Sequence, residues 1–327
     1  MLVYLLFALG LVLLLVGGDW LVKGAVGVAE KFGISPLIIG LTIVALGTSA
    51  PELVISLQAA LAGSGELAVG NVVGSNIANV LLVLGIPAII ATTTRQNDAI
   101  GTTLFFLVGL TGIFMLQMSQ SPISRTDGFL LLVCLTAFLV QQFINARRSR
   151  NGGSGSGSGE VKTEPQDDYH DEIGNVPTSN KIIGLLLIAG LIALPIGASI
   201  TVDAAIEIAR RWTVPEEVIG LTIVAIGTSL PELATGIMAA RHNNGSVALG
   251  NVVGSNLFNI AAIMGATAFI AGDVSVGQHI ISFDMWVMLA ATLFLIALPV
   301  FKLSIGRTGG ILLTGTYLAY LVATAVI

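Results

Sequence analysis

The stretch GLTIVALGTSAPEL at residues 40–53 recurs as GLTIVAIGTSLPEL at residues 220–233. A second stretch, GNVVGSN at 70–76, recurs unaltered at 250–256, and both recurrences are displaced by 180 residues. One duplication of a whole unit accounts for both, so the chain reads as two related halves. Each half places a single Glu inside the apolar repeat, Glu52 in the first and Glu232 in the second. A carboxylate in hydrocarbon is costly unless it meets a cation, a partner or water, which makes both Glu candidates for a functional site.

Composition settles the surrounding medium. The 327 residues are 54% hydrophobic and only 10% charged, with 39 Gly, whereas soluble domains carry about 25% charged residues. That excludes an ordinary soluble domain and predicts an integral membrane protein whose environment is the lipid bilayer. Runs apolar enough to cross a hydrocarbon layer of about 30 Å fall at residues 2–28, 36–61, 66–90, 99–118, 127–145, 182–209, 215–240, 246–270, 281–301 and 307–326. The first run lacks a basic leader and continues into Gly17, Gly18 and Asp19, so it reads as a transmembrane helix and not a cleaved signal. A lone cysteine, Cys134, permits no internal disulfide and is read as packing. The net charge of −5 says little about partners, and no nucleic-acid partner is expected.

The fold class expected is therefore all-α, with ten transmembrane helices arranged as two repeats of five. An odd number of spans makes the two units enter the membrane from opposite sides, so the repeats have inverted topology. With the N-terminus outside, Lys31, Arg95, Arg147, Arg148, Arg150, Lys162, Lys181, Arg241, Lys302 and Arg307 lie on the cytoplasmic side. Arg125, Arg210 and Arg211 lie outside, an asymmetry that satisfies the positive-inside rule with both termini outside. The domain boundaries expected are 1–145 for the first repeat, 146–180 for a flexible cytoplasmic linker and 181–327 for the second repeat. The linker carries the Gly/Ser run Gly152 to Gly159 and the acidic residues Asp167, Asp168, Asp171 and Glu172. A solvated tether is preferred there over a regulatory calcium site, because Gly/Ser runs behave as random coil and the segment cannot bury a core.

The repeated motifs carry the chemistry. Pro51 and Pro231 lack an N–H and cannot bond the carbonyls of Gly47 and Gly227, so each helix breaks near its middle. Opened backbone is tolerated at membrane depth where it lines a cavity. Each break offers Thr48, Ser49 and Glu52, or Thr228, Ser229 and Glu232, within about one turn of bare carbonyls, the oxygen ligands that hard cations accept. Asn71, Ser75 and Asn79 share one helix face by their i, i+4, i+8 spacing, as do Asn251, Ser255 and Asn259. Gly70 with Gly74 and Gly250 with Gly254 form small-xxx-small patterns that let helices approach. Asn and Ser in such places also bond helix to helix, and both Glu could be protonated structural groups. Two inverted copies beside two mid-membrane carboxylates favour an ion site over either. One Ca²⁺ or two Na⁺ would neutralise Glu52 and Glu232, so the same pair suits either ion in turn.

These motifs resemble the cation/calcium exchanger superfamily, specifically its prokaryotic sodium/calcium exchanger branch. The two GTSxPE segments, at 47–52 and 227–232, look like the two signature repeats of that family, each followed by GNVVGSN. The resemblance covers the chain outside the linker. It implies an antiporter with Ca²⁺ and Na⁺ as transported substrates, no cofactor, no enzymatic activity and a prokaryotic plasma-membrane location. It also implies that the first and sixth helices slide across a core made by the second, third, seventh and eighth. Carried over by position, the calcium ligands implied are Glu52, Glu232, Thr48 and Thr228. Flanking sodium sites add Ser49, Ser75, Ser229 and Ser255 with the carbonyls of Ala45 and Ala225. Asn79 matches a family Asn, whereas Asn259 stands where some prokaryotic members have Asp, leaving one acid fewer.

Outside the motifs, Asp19 and Lys23 are spaced as a local i, i+4 ion pair. Asp203 has no such partner and is placed at the outer mouth. Asp98 and Asp284 precede apolar runs and read as helix N-caps in preference to transport groups. Alternatives to Na⁺/Ca²⁺ exchange are the same fold coupled to H⁺ or K⁺ or carrying another divalent metal, a passive channel, and an intramembrane enzyme. The enzyme is disfavoured because His170, His242 and His279 lie outside the repeated motifs and no HExxH pattern occurs. Deletion of Gly152 to Gly159 is expected to leave ion exchange intact, since the run has no ligands. Loss of exchange with normal membrane insertion, measured by ion flux in vesicles, would show that it is more than a tether.

Overall fold

The computed structural model describes residues 2–91, 100–151, 177, 179–213, 225–301 and 303–326. The described chain is helical: α1 (Leu2–Phe32), α2 (Pro36–Thr48), α3 (Ala50–Leu61), α4 (Gly65–Ile90), α5 (Gly101–Ser119), α6 (Arg125–Asn151), α7 (Asn180–Arg211), α8 (Ala225–Thr228), α9 (Leu230–Arg241), α10 (Gly245–Ala271), α11 (Ile280–Val300) and α12 (Arg307–Val326). Seven of these are long and apolar enough to cross a membrane, or eight when α2 and α3 are taken as one bent span. The protein is an all-helical membrane protein. Of the other two spans expected from sequence, 307–326 is a helix of 20 residues, and 215–240 is described only from Ala225. Helix α6 continues past residue 145 to Asn151; the Gly/Ser run and the acidic patch of the expected linker lie outside the described residues, as does Asp98.

Proline sets the breaks where the sequence placed them. Ser49 leaves helical geometry at φ −83, ψ 4, and Ser229 does so at φ −87, ψ 6, each two residues before its Pro. The first break bends α2 against α3 by 45°. A second irregularity was not read from sequence: α4 and α10 both widen into π-helix, at Asn79–Val83 and Asn259–Met264. Each wide turn begins at an Asn whose side chain is buried, in keeping with the tendency of π-bulges to occur at functional sites.

Packing depends on glycine, because lipid gives apolar helices little reason to associate beyond close contact. Along α1, Gly10 faces Thr201 and Gly197, Gly17 faces Ala193 and Leu194, Gly24 faces Leu187 and Gly27 faces Ile183. The partner number falls as the α1 number rises, so α1 and α7 run antiparallel. Helix α2 lies parallel to α10, with a Cβ at Gly250 falling 2.7 Å from the Leu37 carbonyl and one at Gly254 falling 2.6 Å from the Leu41 carbonyl. Gly70 meets nothing nearer than Ile280 at 3.8 Å and Gly74 meets no described atom within 4 Å, so close approach is seen at one of the two expected pairs. The segment equivalent to 40–44 is 220–224, which lies outside the described residues.

The halves interlock. Gly85 of α4 packs on Gly310 and Thr314 of α12, and at equivalent places Gly265 of α10 packs on Gly128 and Leu131 of α6. One apolar cluster joins α4, α5, α6, α10, α11 and α12, with Cys134 packed at its edge; a smaller one joins α1, α2, α7, α9 and the start of α10. Gly254→Ala is expected to destabilise the protein by about 1–3 kcal/mol through overpacking against fixed backbone. Gly109→Ala, whose Cβ would meet nothing within 4 Å, is expected to be neutral or stabilising. Thermal unfolding in detergent of the two variants tests the contrast; equal melting temperatures would refute it.

Candidate functional site

Each break makes a helix N-terminus inside the protein. The first turn of α3 contains Glu52 and that of α9 contains Glu232. Backbone N–H groups left open at such an end favour a negative charge, so the residues that break the helix also prepare a place for its carboxylate. Both side chains are buried, at 1% and 0% exposure.

Bonds across the halves bring the repeated residues together. Ser49 Oγ donates to Glu232 Oε1 at 3.2 Å, joining the first break to the second carboxylate. Thr48 Oγ1 lies 3.3 Å from both Asn251 Oδ1 and the Ala45 carbonyl oxygen. The Ala45 carbonyl also accepts from Ser49 N–H at 3.0 Å, and with the single Thr48 hydroxyl proton on Asn251 it keeps a lone pair for an ion. Asn71 Nδ2 donates to the Glu52 carbonyl at 3.3 Å and to Ser56 Oγ at 2.9 Å, tying the bend to α4.

The remaining oxygens stand ready for another partner. Buried and without a hydrogen bond are Glu52 Oε2, Glu232 Oε2, Ser229 Oγ, Ser255 Oγ and both amide atoms of Asn79 and of Asn259. Buried polar groups are ordinarily bonded, and each left unpaired costs about 1–3 kcal/mol. Two carboxylates with hydroxyl and amide oxygens form the donor set of a hard cation such as Ca²⁺ or Na⁺. Ser75 is buried on the same helix as Asn79. Thr228 belongs to α8 and adjoins the second break, and Ala225 opens that short helix.

Sequence reading missed several polar residues. Ser56 and Thr235 are fully buried; Ser56 accepts from Asn71, and Thr235 Oγ1 donates to the Pro231 carbonyl at 2.8 Å. A hydroxyl at i+4 from each Glu or Pro was the available signal. Asp19 and Lys23 do pair, at 2.9 Å, and His242 adds a bond to Asp19 at 2.7 Å that no repeat announced. The N-cap reading of Asp284 is overturned. Asp284 ends a π-turn inside α11 and caps nothing; it bonds His279 Nδ1 at 2.8 Å and accepts from Tyr320 of α12 at 3.0 Å. Asp203 is exposed and accepts from Ser199 at 3.4 Å.

Comparison with known proteins gives a consistent result. The family described as "Sodium/calcium exchanger protein" matches residues 2–144 and 182–326. The chain is 36% identical to the inner membrane protein YrbG of Escherichia coli, over 97% of this chain and 94% of that one. It is 34% identical to the sodium/calcium exchanger MaX1 of Methanosarcina acetivorans, covering 98% and 97%. Among solved structures, the sodium-calcium exchanger NCX_Mj soaked with Na⁺ and Ca²⁺ superposes with a TM-score of 0.79 at 31% identity, covering 100% of this chain and 99% of that one.

Asn71→Ala would leave Ser56 and the Glu52 carbonyl without their donor, and is expected to destabilise the bend by about 1–3 kcal/mol. Chemical unfolding against wild type checks this, and an unchanged midpoint would assign Asn71 no such role.

Proposed function

The chain belongs to the sodium/calcium exchanger family, and on that premise we propose that it is a secondary antiporter moving Ca²⁺ one way against Na⁺ the other. The proposal includes the ten-helix arrangement as two inverted repeats of five, and alternating access around one site near the membrane midplane. The family is one of transporters, so the Glu pair acts on ions as substrates and performs no bond chemistry.

The observation that carries this reading is the crossing of the halves at Ser49 and Glu232, beside unpartnered oxygens of both Glu. Such a cradle is uncompensated until a cation enters. Glu52, Glu232, Thr48 and Thr228 are proposed to hold Ca²⁺. Ser49, Ser75, Ser229 and Ser255, with the carbonyls of Ala45 and Ala225, are proposed to hold Na⁺. Asn79 and Asn259 sit where the π-turns begin and supply neutral oxygens, so the site carries two formal negative charges and balances one Ca²⁺ or two Na⁺. The excess of Lys and Arg in the loops assigned to the cytoplasm supports both termini outside.

The test is Ca²⁺ uptake by proteoliposomes under imposed Na⁺, H⁺ or K⁺ gradients, with uptake expected under Na⁺. Uptake driven only by H⁺ or K⁺ would replace Na⁺ as the coupling ion, and Ca²⁺ current without countertransport would indicate a channel. Glu52→Gln and Glu232→Gln are each expected to abolish Ca²⁺ exchange, because one negative charge remains to hold a divalent ion. Wild-type exchange by either purified variant would sink the two-carboxylate site.

A further inference from the structure

From the first helix of each half through the repeated motifs, position i of the first half corresponds to i + 180 of the second, so equivalent contacts are expected at both ends of the molecule. One polar cluster outside the ion cradle departs from that rule. Asp19 of α1 bonds Lys23 Nζ through Oδ2 at 2.9 Å and His242 Nε2 through Oδ1 at 2.7 Å. Lys23 lies one turn along the same helix. His242 follows the end of α9, the helix that carries Glu232 in its first turn. Beside Asp19, a Cβ at Gly18 would stand 3.0 Å from the Ala234 carbonyl oxygen and 3.2 Å from Thr235 N. Helix α1 is therefore joined to the Glu232 helix twice, by a backbone contact and by a polar bond.

The second half has no such joint at the matching places. The counterparts of Gly18, Asp19, Lys23 and His242 are Ala198, Ser199, Asp203 and Ala62. Ala198 carries the methyl group that Gly18 lacks. Ser199 donates to Asp203 within α7 at 3.4 Å, and both are exposed. Ala62, at the end of α3, has no group to bond either. Substitution at four equivalent positions has placed the joint on one end of the molecule.

We propose that Asp19, Lys23 and His242 form a one-sided latch. They are positioning residues that hold α1 against the Glu232 helix, close the ion path on the membrane face where the 242–244 turn lies, and release once in each transport cycle. The proposal rests on the exchange reading above. A charged hydrogen bond, partly sheltered at side-chain exposures of 22% for Asp19 and 17% for His242, is stronger than a neutral one. Present in one access state and matched by nothing in the other, it biases an equilibrium that two equivalent halves would leave near balance. Apparent affinity for an ion entering from one face scales with the fraction of protein open to that face, so the latch has a sided signature that general destabilisation lacks.

The experiment uses full-length protein in vesicles of defined orientation, with half-saturating Ca²⁺ measured from each face under a fixed Na⁺ gradient. His242→Ala and Asp19→Asn are expected to lower half-saturating Ca²⁺ on the 242 face relative to the other by about tenfold, the factor equivalent to about 1.4 kcal/mol. His242→Gln, which keeps an N–H donor, is expected to restore most of the wild-type ratio. A ratio unchanged in folded His242→Ala, or equal changes on both faces with no rescue by Gln, would overturn the latch. Absence of Na⁺-driven uptake in wild type would instead overturn the exchange reading, so the two failures are distinct.

Discussion

Two carboxylates buried in one membrane protein constrain nearly everything else in it. Glu52 and Glu232 cannot remain as bare charges in a poorly polarisable interior, and among the described residues neither has a Lys or Arg in an ion pair with it. Each sits in the first turn of a helix, with open N–H groups behind it, and Glu232 also receives the Ser49 hydroxyl of the opposite break. Pro51 and Pro231 are the cause of that arrangement, since they end the helix that precedes the Glu and leave the next one to begin at its carboxylate. The break, the polar residues around it and the acid therefore form one physical unit, used twice.

A unit of that kind works only if the two copies face each other, and glycine makes this geometrically possible. Gly250 and Gly254 let α10 lie on the backbone of α2, which brings Asn251 to Thr48. Larger residues would separate the helices by more than a hydrogen bond can span. The same economy appears at Gly85 with Gly310 and at Gly128 with Gly265, where each half closes on the last helix of the other. The helices around the cradle are thus held by contacts between halves, while α1 and α7 pack on each other along a separate glycine stripe.

Duplication explains the shared parts, and departures from it mark individual roles. None of His279, Asp284 and Tyr320 lies in a repeated motif, and their cluster is one such departure. The Asp19 and His242 bond likewise has no equivalent. These unshared bonds are where the two halves come to differ.

Much of this was legible in the sequence because membrane proteins obey few and strong rules. Charge depletion announced the solvent, apolar run lengths announced the helices, and proline within a run announced the breaks, which occur at Ser49 and Ser229. The 180-residue repetition singled out Glu52, Glu232 and the polar face of Asn71, Ser75 and Asn79, all local patterns or copies of them. The π-turns at Asn79 and Asn259 were not legible, because a widened turn answers to packing from neighbouring helices and leaves no distinct composition. Asp284 was misread as a cap since its position before an apolar run says nothing of Tyr320, 36 residues on. The Asp19 bond to His242 spans 223 residues, and no periodicity encodes a pairing at that separation. Residue types and their spacing determined what each helix could contribute; only tertiary packing decided which contributions would meet, because contact across helices depends on approach distances that a linear pattern does not contain.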